Sequence, residues 1–179
     1  PDQFVRFSET APKNSQGKNF ISNKENIESF LGELSKRDRP YDRVFIFISG
    51  HANGRDAEAT FHLPGSDIVY ETLMDWIDQI PAKQMILIIG ASQGQAWIEK
   101  LGRPDRIIIA GNGLHEFDFI PVVFLQIFPL VFSGIQTIDP LNPQPSVSLR
   151  DIFTETQKRV QGWYDKNHLH VTEFALIDD

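Results

Sequence analysis

Two strand ends in this sequence carry side chains that could act together as a general base and a nucleophile. His51 follows the apolar run Val44–Ile48 and precedes an Ala-Asn-Gly turn that would expose the imidazole. Ser92 follows a second apolar run, Met85–Ile89, and is surrounded by small residues. Neighbouring parallel strands place their C-terminal loops side by side, so we expect His51 and Ser92 to face one cleft. Nucleophile–base catalysis requires that arrangement.

Both residues also have a purely structural interpretation. A histidine after a strand is often structural, and a serine in a Gly/Ala-rich turn is often there because the turn is tight. The segment Gly90–Gly94 lacks the Gly-x-Ser-x-Gly spacing of a hydrolase elbow, and no third residue is evident to orient the imidazole. It also lacks the lysine of a phosphate-binding loop. The local sequence therefore leaves catalysis and structure open as alternatives.

The elements around these residues alternate between strand and helix. Continuous apolar runs predict buried strands at Val44–Ile48, Met85–Ile89 and Arg106–Ala110, with helical patterns between them. This alternation predicts an α/β fold with a mostly parallel central sheet and helices on both faces. A short strand is expected within Ala59–Leu63, and Phe174–Ile177 is expected to form an edge strand.

Local signals predict where the helices begin. The pair Ser22 and Glu25 has capping-box spacing, and the next helix should turn Ile27, Phe30, Leu31 and Leu34 inward. Ser66 is expected to cap a second helix with Val69 on its apolar stripe, and Ser148 a last one. Residues 1–20 are polar and mixed, and are expected to form a loop or linker before one domain at 21–179.

Composition excludes several classes of function. The net charge of -7 and the absence of a basic face argue against nucleic-acid binding. The chain has no cysteine, which excludes disulfides and thiolate metal sites. The five histidines show no ligand-pair spacing except His168-Leu169-His170, where alternation as on a strand would put both imidazoles on one face. We therefore expect neither a metal site nor a cofactor.

One segment has the length of a membrane span. Phe117–Ile135 is strongly apolar, but it carries Asp118 and Gln126 and is interrupted by Pro121 and Pro129. These residues favour a buried core helix over a membrane anchor, so no membrane partner is expected.

The order of these motifs resembles the caspase-like cysteine peptidases, and within them the legumain-like branch with its bacterial members. Asp42–His51 resembles the family's strand and Gly/Asp-His motif, and Met85–Ile98 resembles its nucleophile strand. Leu63-Pro64-Gly65 and the segment Val147–Phe153 resemble other parts of the family, so the likeness covers roughly residue 21 to the end. The resemblance implies a three-layer α/β fold, a catalytic His51, the nucleophile position at Ser92 and an oxyanion site near Gly50.

The resemblance breaks at the nucleophile. Gly90 replaces the family's acidic residue, Ser92 its cysteine, Gly94 its serine and Gln95 its glycine. A thiol is partly ionised near neutral pH, whereas a serine hydroxyl needs strong help from a general base. One Cys→Ser change would indicate a disabled live enzyme, but four coordinated departures favour drift after catalysis was abandoned.

Three functions remain open at this point. The first is an inactive peptidase-like domain that binds a peptide or protein, and the second is a cysteine endopeptidase whose nucleophile has been changed to Ser92. The third is a working Ser–His hydrolase. By the resemblance, the loop with Asn112, His115, Glu116 and Asp118 would help to form a specificity pocket, whose acidic residues would favour a basic side chain, or these are simply polar loop residues.

A second break lies at the front of the chain. The family's fold begins with a strand, a helix and another strand, whereas only about twenty polar residues stand here. In the family's strand order Val44–Ile48 would then be an exposed apolar edge. We therefore expect a fragment whose sheet is completed by an upstream segment, a second chain or a swapped copy.

Overall fold

The computed structural model describes residues 5–10, 17–54, 58–112, 121–135 and 147–178, which form an α/β structure. The strands in chain order are β1 (Val5–Ser8), β2 (Lys18–Ile21), β3 (Val44–Ser49), β4 (Ala52–Asn53), β5 (Thr60–Phe61), β6 (Ile68–Val69), β7 (Met85–Gly90), β8 (Arg106–Ala110) and β9 (Leu176–Asp178). The helices are α1 (Lys24–Ser35), α2 (Tyr70–Asp78), α3 (Gly94–Leu101), α4 (Val122–Ile135) and α5 (Leu149–Lys166).

The central sheet has four strands in the order β3-β7-β8-β9 within the described ranges. The first three run parallel, and β9 runs antiparallel to β8. All three predicted buried runs are strands, and the expected final edge strand is β9. The prediction of an α/β fold with a mostly parallel sheet is therefore confirmed.

Alternate residues of β7 face two separate cores. Leu87 and Ile89 belong to a core with side chains of α1, α2 and α3. Ile86 and Ile88 belong to a second core with α4 and α5. The six residues of β7 are all buried, as expected for a strand covered on both faces. Helices therefore lie on both faces of the sheet.

The strand β3 lies at one edge of this sheet. Its run was expected to be covered on both faces, and on one face that expectation is wrong: Phe45 is 46% exposed and Phe47 41% exposed. The α4 helix packs over β7, and at β3 it supplies Phe132, whose ring centroid is 5.8 Å from that of Phe45. The exposed apolar edge is thus present, while the strands proposed to complete it stay a prediction.

The first residues contain two strands, so the prediction of a loop there is wrong. β1 and β2 form a parallel pair. The rings of Phe7 and Phe20 stack at 5.5 Å, and both contact Phe30 of α1. The aromatic residues that make these contacts are isolated in a polar segment, so the sequence there has no hydrophobic periodicity that would predict a strand.

Two of the three predicted helix caps are wrong. The side chain of Asn23, not Ser22, accepts a hydrogen bond from the Asn26 N–H at 2.9 Å. Ser66 lies before β6, whose pairing with β5 delays α2 until Tyr70. Consequently Val69 is a strand residue and is 41% exposed. The last cap is confirmed, because Ser148 forms a complete capping box at α5.

The apolar segment forms the core helix α4, as predicted from residue 122 onward. Val123, Phe124, Phe128 and Val131 are buried in the second core. With 14 residues the helix is about 21 Å long, shorter than a bilayer core of about 30 Å. No helix in the described part of the chain is both long and apolar enough to cross a membrane. Residues 117–120 lie outside the described residues.

Candidate active site

The C-terminal edge of the parallel strands carries a row of three glycines. The Gly50 N–H donates to the Gly90 carbonyl at 3.3 Å, and the Gly111 N–H donates to the β7 carbonyl of Ile89 at 2.8 Å. A Cβ atom on Gly90 would overlap the side chain of Leu125 in α4. An acidic residue at position 90, as in the family motif, would therefore require Leu125 to move and would bring its Cβ atom to 3.2 Å from the Ile48 carbonyl oxygen.

Ser92 lies in the interior. Its side chain is inaccessible, and its hydroxyl donates a hydrogen bond of 2.9 Å to the Ala52 carbonyl. The Ser92 carbonyl accepts a second hydrogen bond, of 2.9 Å, from the buried Tyr70 hydroxyl. Both groups link the end of β7 to neighbouring elements, so in this arrangement the hydroxyl is directed at a backbone acceptor.

His51 is exposed at the end of β3. Its ring stacks on that of His62, with centroids 5.3 Å apart and an angle of 24° between the planes. No hydrogen bond joins His51 to Ser92 within the described residues. The two belong to adjoining segments all the same, because Ala52, the acceptor for the Ser92 hydroxyl, directly follows His51.

A carboxylate orients the second histidine of this stack. His62 Nδ1 lies 2.9 Å from Asp67 Oδ2, and Asp67 Oδ1 accepts from the Leu63 N–H at 3.1 Å. The Leu63 hydrogen bond and then that of His62 lower the pKa of Asp67. This pair was not predicted from the sequence. The signal that could have found it is a histidine and an aspartate five residues apart around the Pro64-Gly65 turn.

The turn from β7 into α3 is tight. Gln93 adopts a left-handed conformation with φ 61° and ψ 38°, and it is buried. The Gly94 N–H then donates to the Asn112 carbonyl at 2.9 Å. A Cβ atom at position 94 would overlap that carbonyl oxygen and the Cβ atom of Ala110. Glycine is therefore required there by close approach of the backbone.

The expected oxyanion donor is engaged elsewhere. The Gly50 N–H bonds to the Gly90 carbonyl, and the ring of Phe61 packs against the Gly50 Cα. An oxyanion role for Gly50 would require that N–H to leave the sheet ladder. The role stays a prediction with this condition attached.

The expected specificity residues divide into two groups. Asn112 is fully buried and accepts the Gly94 N–H with its backbone carbonyl, so it helps to fix the start of α3. His115 and Glu116 lie outside the described residues, and so does Asp118. A substrate-binding role for these residues stays a prediction.

Histidine, aspartate and glutamate side chains are also candidate metal ligands. In the described ranges, no group of three or more histidine, aspartate and glutamate side chains is placed to hold a metal ion. His168 and His170 are exposed at the turn after α5, where His168 has a φ of 54°, so the strand alternation expected for them is absent.

The sequence matches no model of a known protein family and no curated protein. The likeness to the caspase-like peptidases therefore rests on the motifs themselves and on their order in the chain.

Proposed function

We propose that the chain is a catalytically inactive domain of the caspase-like and legumain-like type that serves as a binding or structural module for a peptide or protein. The observation that carries the proposal is the state of Ser92. Its hydroxyl is inaccessible and donates to a backbone carbonyl, whereas a nucleophile must present its oxygen to a base and to a substrate.

The surrounding turn supports the same conclusion. A Cβ atom at position 94 would overlap the Asn112 carbonyl oxygen and the Cβ atom of Ala110, and one at position 90 would require the Leu125 side chain to move. The departure at position 94 is thus built into the packing of this protein. A lone Cys→Ser change in a working enzyme would leave the neighbouring motif residues in place.

The retained feature is the exposed His51, which lies at the sheet edge where α/β proteins bind ligands. Its imidazole can donate and accept hydrogen bonds, as an extended peptide backbone requires. We infer an extended peptide segment as the ligand, bound across the ends of β3 and β7.

The proposal is tested by assaying purified protein on a mixed fluorogenic peptide library. Three forms are compared: the unmodified chain, Ser92→Cys, and Ser92→Cys combined with His51→Ala. Circular dichroism first establishes that all three are folded. We expect no cleavage by any form, and we expect the double variant, which lacks the His51 imidazole, to bind library peptides more weakly than Ser92→Cys does. Cleavage by the unmodified chain would overturn the proposal, and fluorophosphonate labelling of Ser92 would then identify a serine hydrolase.

The second candidate is a cysteine endopeptidase whose nucleophile has been replaced by serine. It is favoured by the position of Ser92, which ends the central strand and contacts the segment that carries His51. Serine and cysteine differ by one atom, so Ser92→Cys is the smallest change that supplies a thiol. Cleavage by Ser92→Cys that disappears in the double variant would establish this candidate.

A further inference from the structure

The small sheet β4-β5-β6 brings together the two histidines His51 and His62. β4 and β5 are antiparallel with Ala52 opposite Phe61. One residue beyond this pair, the His62 N–H donates to the His51 carbonyl at 2.9 Å. The two residues are therefore cross-strand neighbours, and their rings lie on the same side at 5.3 Å between centroids.

One ring nitrogen of His62 has an assigned partner, and the other has none. Asp67 Oδ2 lies 2.9 Å from Nδ1, so in the neutral imidazole that nitrogen carries the proton. Nε2 then presents its lone pair. In the described part of the chain this atom is buried and makes no hydrogen bond. A buried acceptor without a donor is costly, which points to a ligand for it.

The second imidazole can supply a lone pair beside the first. The His51 ring is exposed. Within the described residues it stacks on His62 and makes no hydrogen bond. In the stack the two ring planes are 24° apart, so the ring nitrogens lie side by side, and a shared ion requires the exposed His51 ring to rotate out of the stack. Two imidazoles brought onto one ion in this way suit divalent zinc, copper or nickel better than magnesium or calcium.

Asp67 completes a known arrangement of metal sites. A metal-ligating histidine usually donates its other N–H to a carboxylate, which fixes the tautomer and the ring orientation. Asp67 is itself fixed by the Leu63 N–H. The Asp67 carboxylate would not contact the ion. It holds the proton of His62 on Nδ1, which leaves the lone pair of Nε2 free to bind the ion.

We propose that His51 and His62 bind a divalent transition-metal ion of the zinc and copper group, with Asp67 as the positioning residue. No third histidine or carboxylate converges on the pair in the described ranges, so the remaining coordination positions belong to water or to a group of a bound partner. The site shares His51 with the proposed peptide-binding surface, but it uses neither Ser92 nor the turn that follows it.

The proposal is tested by titrating the full, metal-free chain with zinc chloride in a calorimeter. We expect one ion per chain, loss of that binding in His51→Ala and in His62→Ala, and affinity weakened about 10-fold or more in Asp67→Asn. His168→Ala combined with His170→Ala is the matched control and should bind as the unmodified chain does. Circular dichroism checks the fold of each variant.

A second measurement identifies the ligands without relying on the variants. The electron paramagnetic resonance spectrum of the copper(II)-loaded chain should show coupling to two imidazole nitrogens. A spectrum without nitrogen coupling, or zinc binding that persists unchanged in both single histidine variants, overturns the proposal. Absence of binding up to millimolar zinc overturns it as well.

Discussion

The hydroxyl of Ser92 donates its proton to the carbonyl oxygen of Ala52 across 2.9 Å. This bond joins the end of the central strand β7 to the two-residue strand β4, and both of its atoms are withdrawn from solvent. The residue expected as a nucleophile thus serves as a brace between two elements.

Ser92→Ala should therefore destabilise the fold. The change leaves the buried Ala52 carbonyl without its donor, at a cost of about 1–3 kcal/mol. Urea unfolding followed by circular dichroism measures the loss. An unfolding midpoint equal to that of the unmodified chain would contradict the bracing role. Ser92→Thr keeps the hydroxyl but adds a methyl group. Comparing its midpoint with that of Ser92→Ala separates the effect of crowding from the effect of losing the hydrogen bond to Ala52.

The glycine at the start of α3 should resist replacement by the serine of the family motif. Gly94→Ser places a Cβ atom against the Asn112 carbonyl and should cost about 1–3 kcal/mol. Gly162→Ala is the matched control, since open space surrounds that helical glycine, and it should stabilise by about 0.5–1 kcal/mol. Equal effects of the two changes on the urea midpoint would show that close packing at Gly94 is not the cause.

A buried carboxylate should stabilise the apolar helix α4. Glu173 accepts hydrogen bonds from the N–H groups of Val123 at 2.9 Å and Phe124 at 2.7 Å, the orphan donors of the first helical turn. Glu173→Ala removes both acceptors and should cost about 1–3 kcal/mol in urea unfolding. Glu155→Ala, which removes an exposed ion pair with Arg159, should cost only about 0–1 kcal/mol. A Glu173→Ala loss within that control range would refute the cap.

The capping box of α5 should make part of the stability depend on pH. Hydrogen bonds from the Ser148 hydroxyl and then from its backbone N–H lower the pKa of Asp151 below its ordinary value of 3.8. Because the folded pKa is lowered, this contribution is present above the unfolded pKa and is lost as the pH falls from 3.8 through the folded value.

Urea midpoints measured between pH 7 and pH 2.5 test this dependence. The urea midpoint of the unmodified chain should exceed that of Asp151→Asn at neutral pH. The difference between the two midpoints should narrow in the acid range. Asp38→Asn, on an exposed turn, is the control and should show no such gap. A gap that stays constant down to the lowest pH would contradict the assignment.

The exposed face of β3 should promote association. Phe45 and Phe47 present apolar rings beside a strand edge that pairs with β7 on one side. Phe47→Lys should shift the concentration-dependent mass, measured by size exclusion with light scattering, toward the monomer. Leu169→Lys changes a residue that is 54% exposed in the loop after α5, and should leave the mass unchanged. Equal shifts in both variants would assign the effect to net charge.

The sequence predicted the sheet well because its strands are continuous apolar runs. The runs Met85–Ile89 and Arg106–Ala110 are rich in β-branched residues, which favour strand over helix. The spacing of Ser148 and Asp151 likewise predicts the capping box at the start of α5. Ser66 failed as a cap because pairing of Ile68 and Val69 with β5 overrides the local signal. Tertiary pairing of this kind has no local signature.

The candidate site was predicted less well, for a geometric reason. His51 and Ser92 were placed correctly at the ends of neighbouring strands, but which way a side chain turns depends on the atoms around it. The contact of His51 with His62 follows from the register of β4 against β5, and the burial of Ser92 follows from the position of Ala52. Neither register nor depth can be read from the order of residue types alone.

The cap on α4 also has a consequence for folding during synthesis, because the helix and its capping residue are made at different times. Val123 and Phe124 leave the ribosome fifty and forty-nine residues before the glutamate that caps them. Until Glu173 emerges, the most apolar helix has open N–H groups and no carboxylate to close its first turn. During synthesis α4 therefore stays uncapped until residue 173 has been made, and its exposed apolar side chains favour association over that interval.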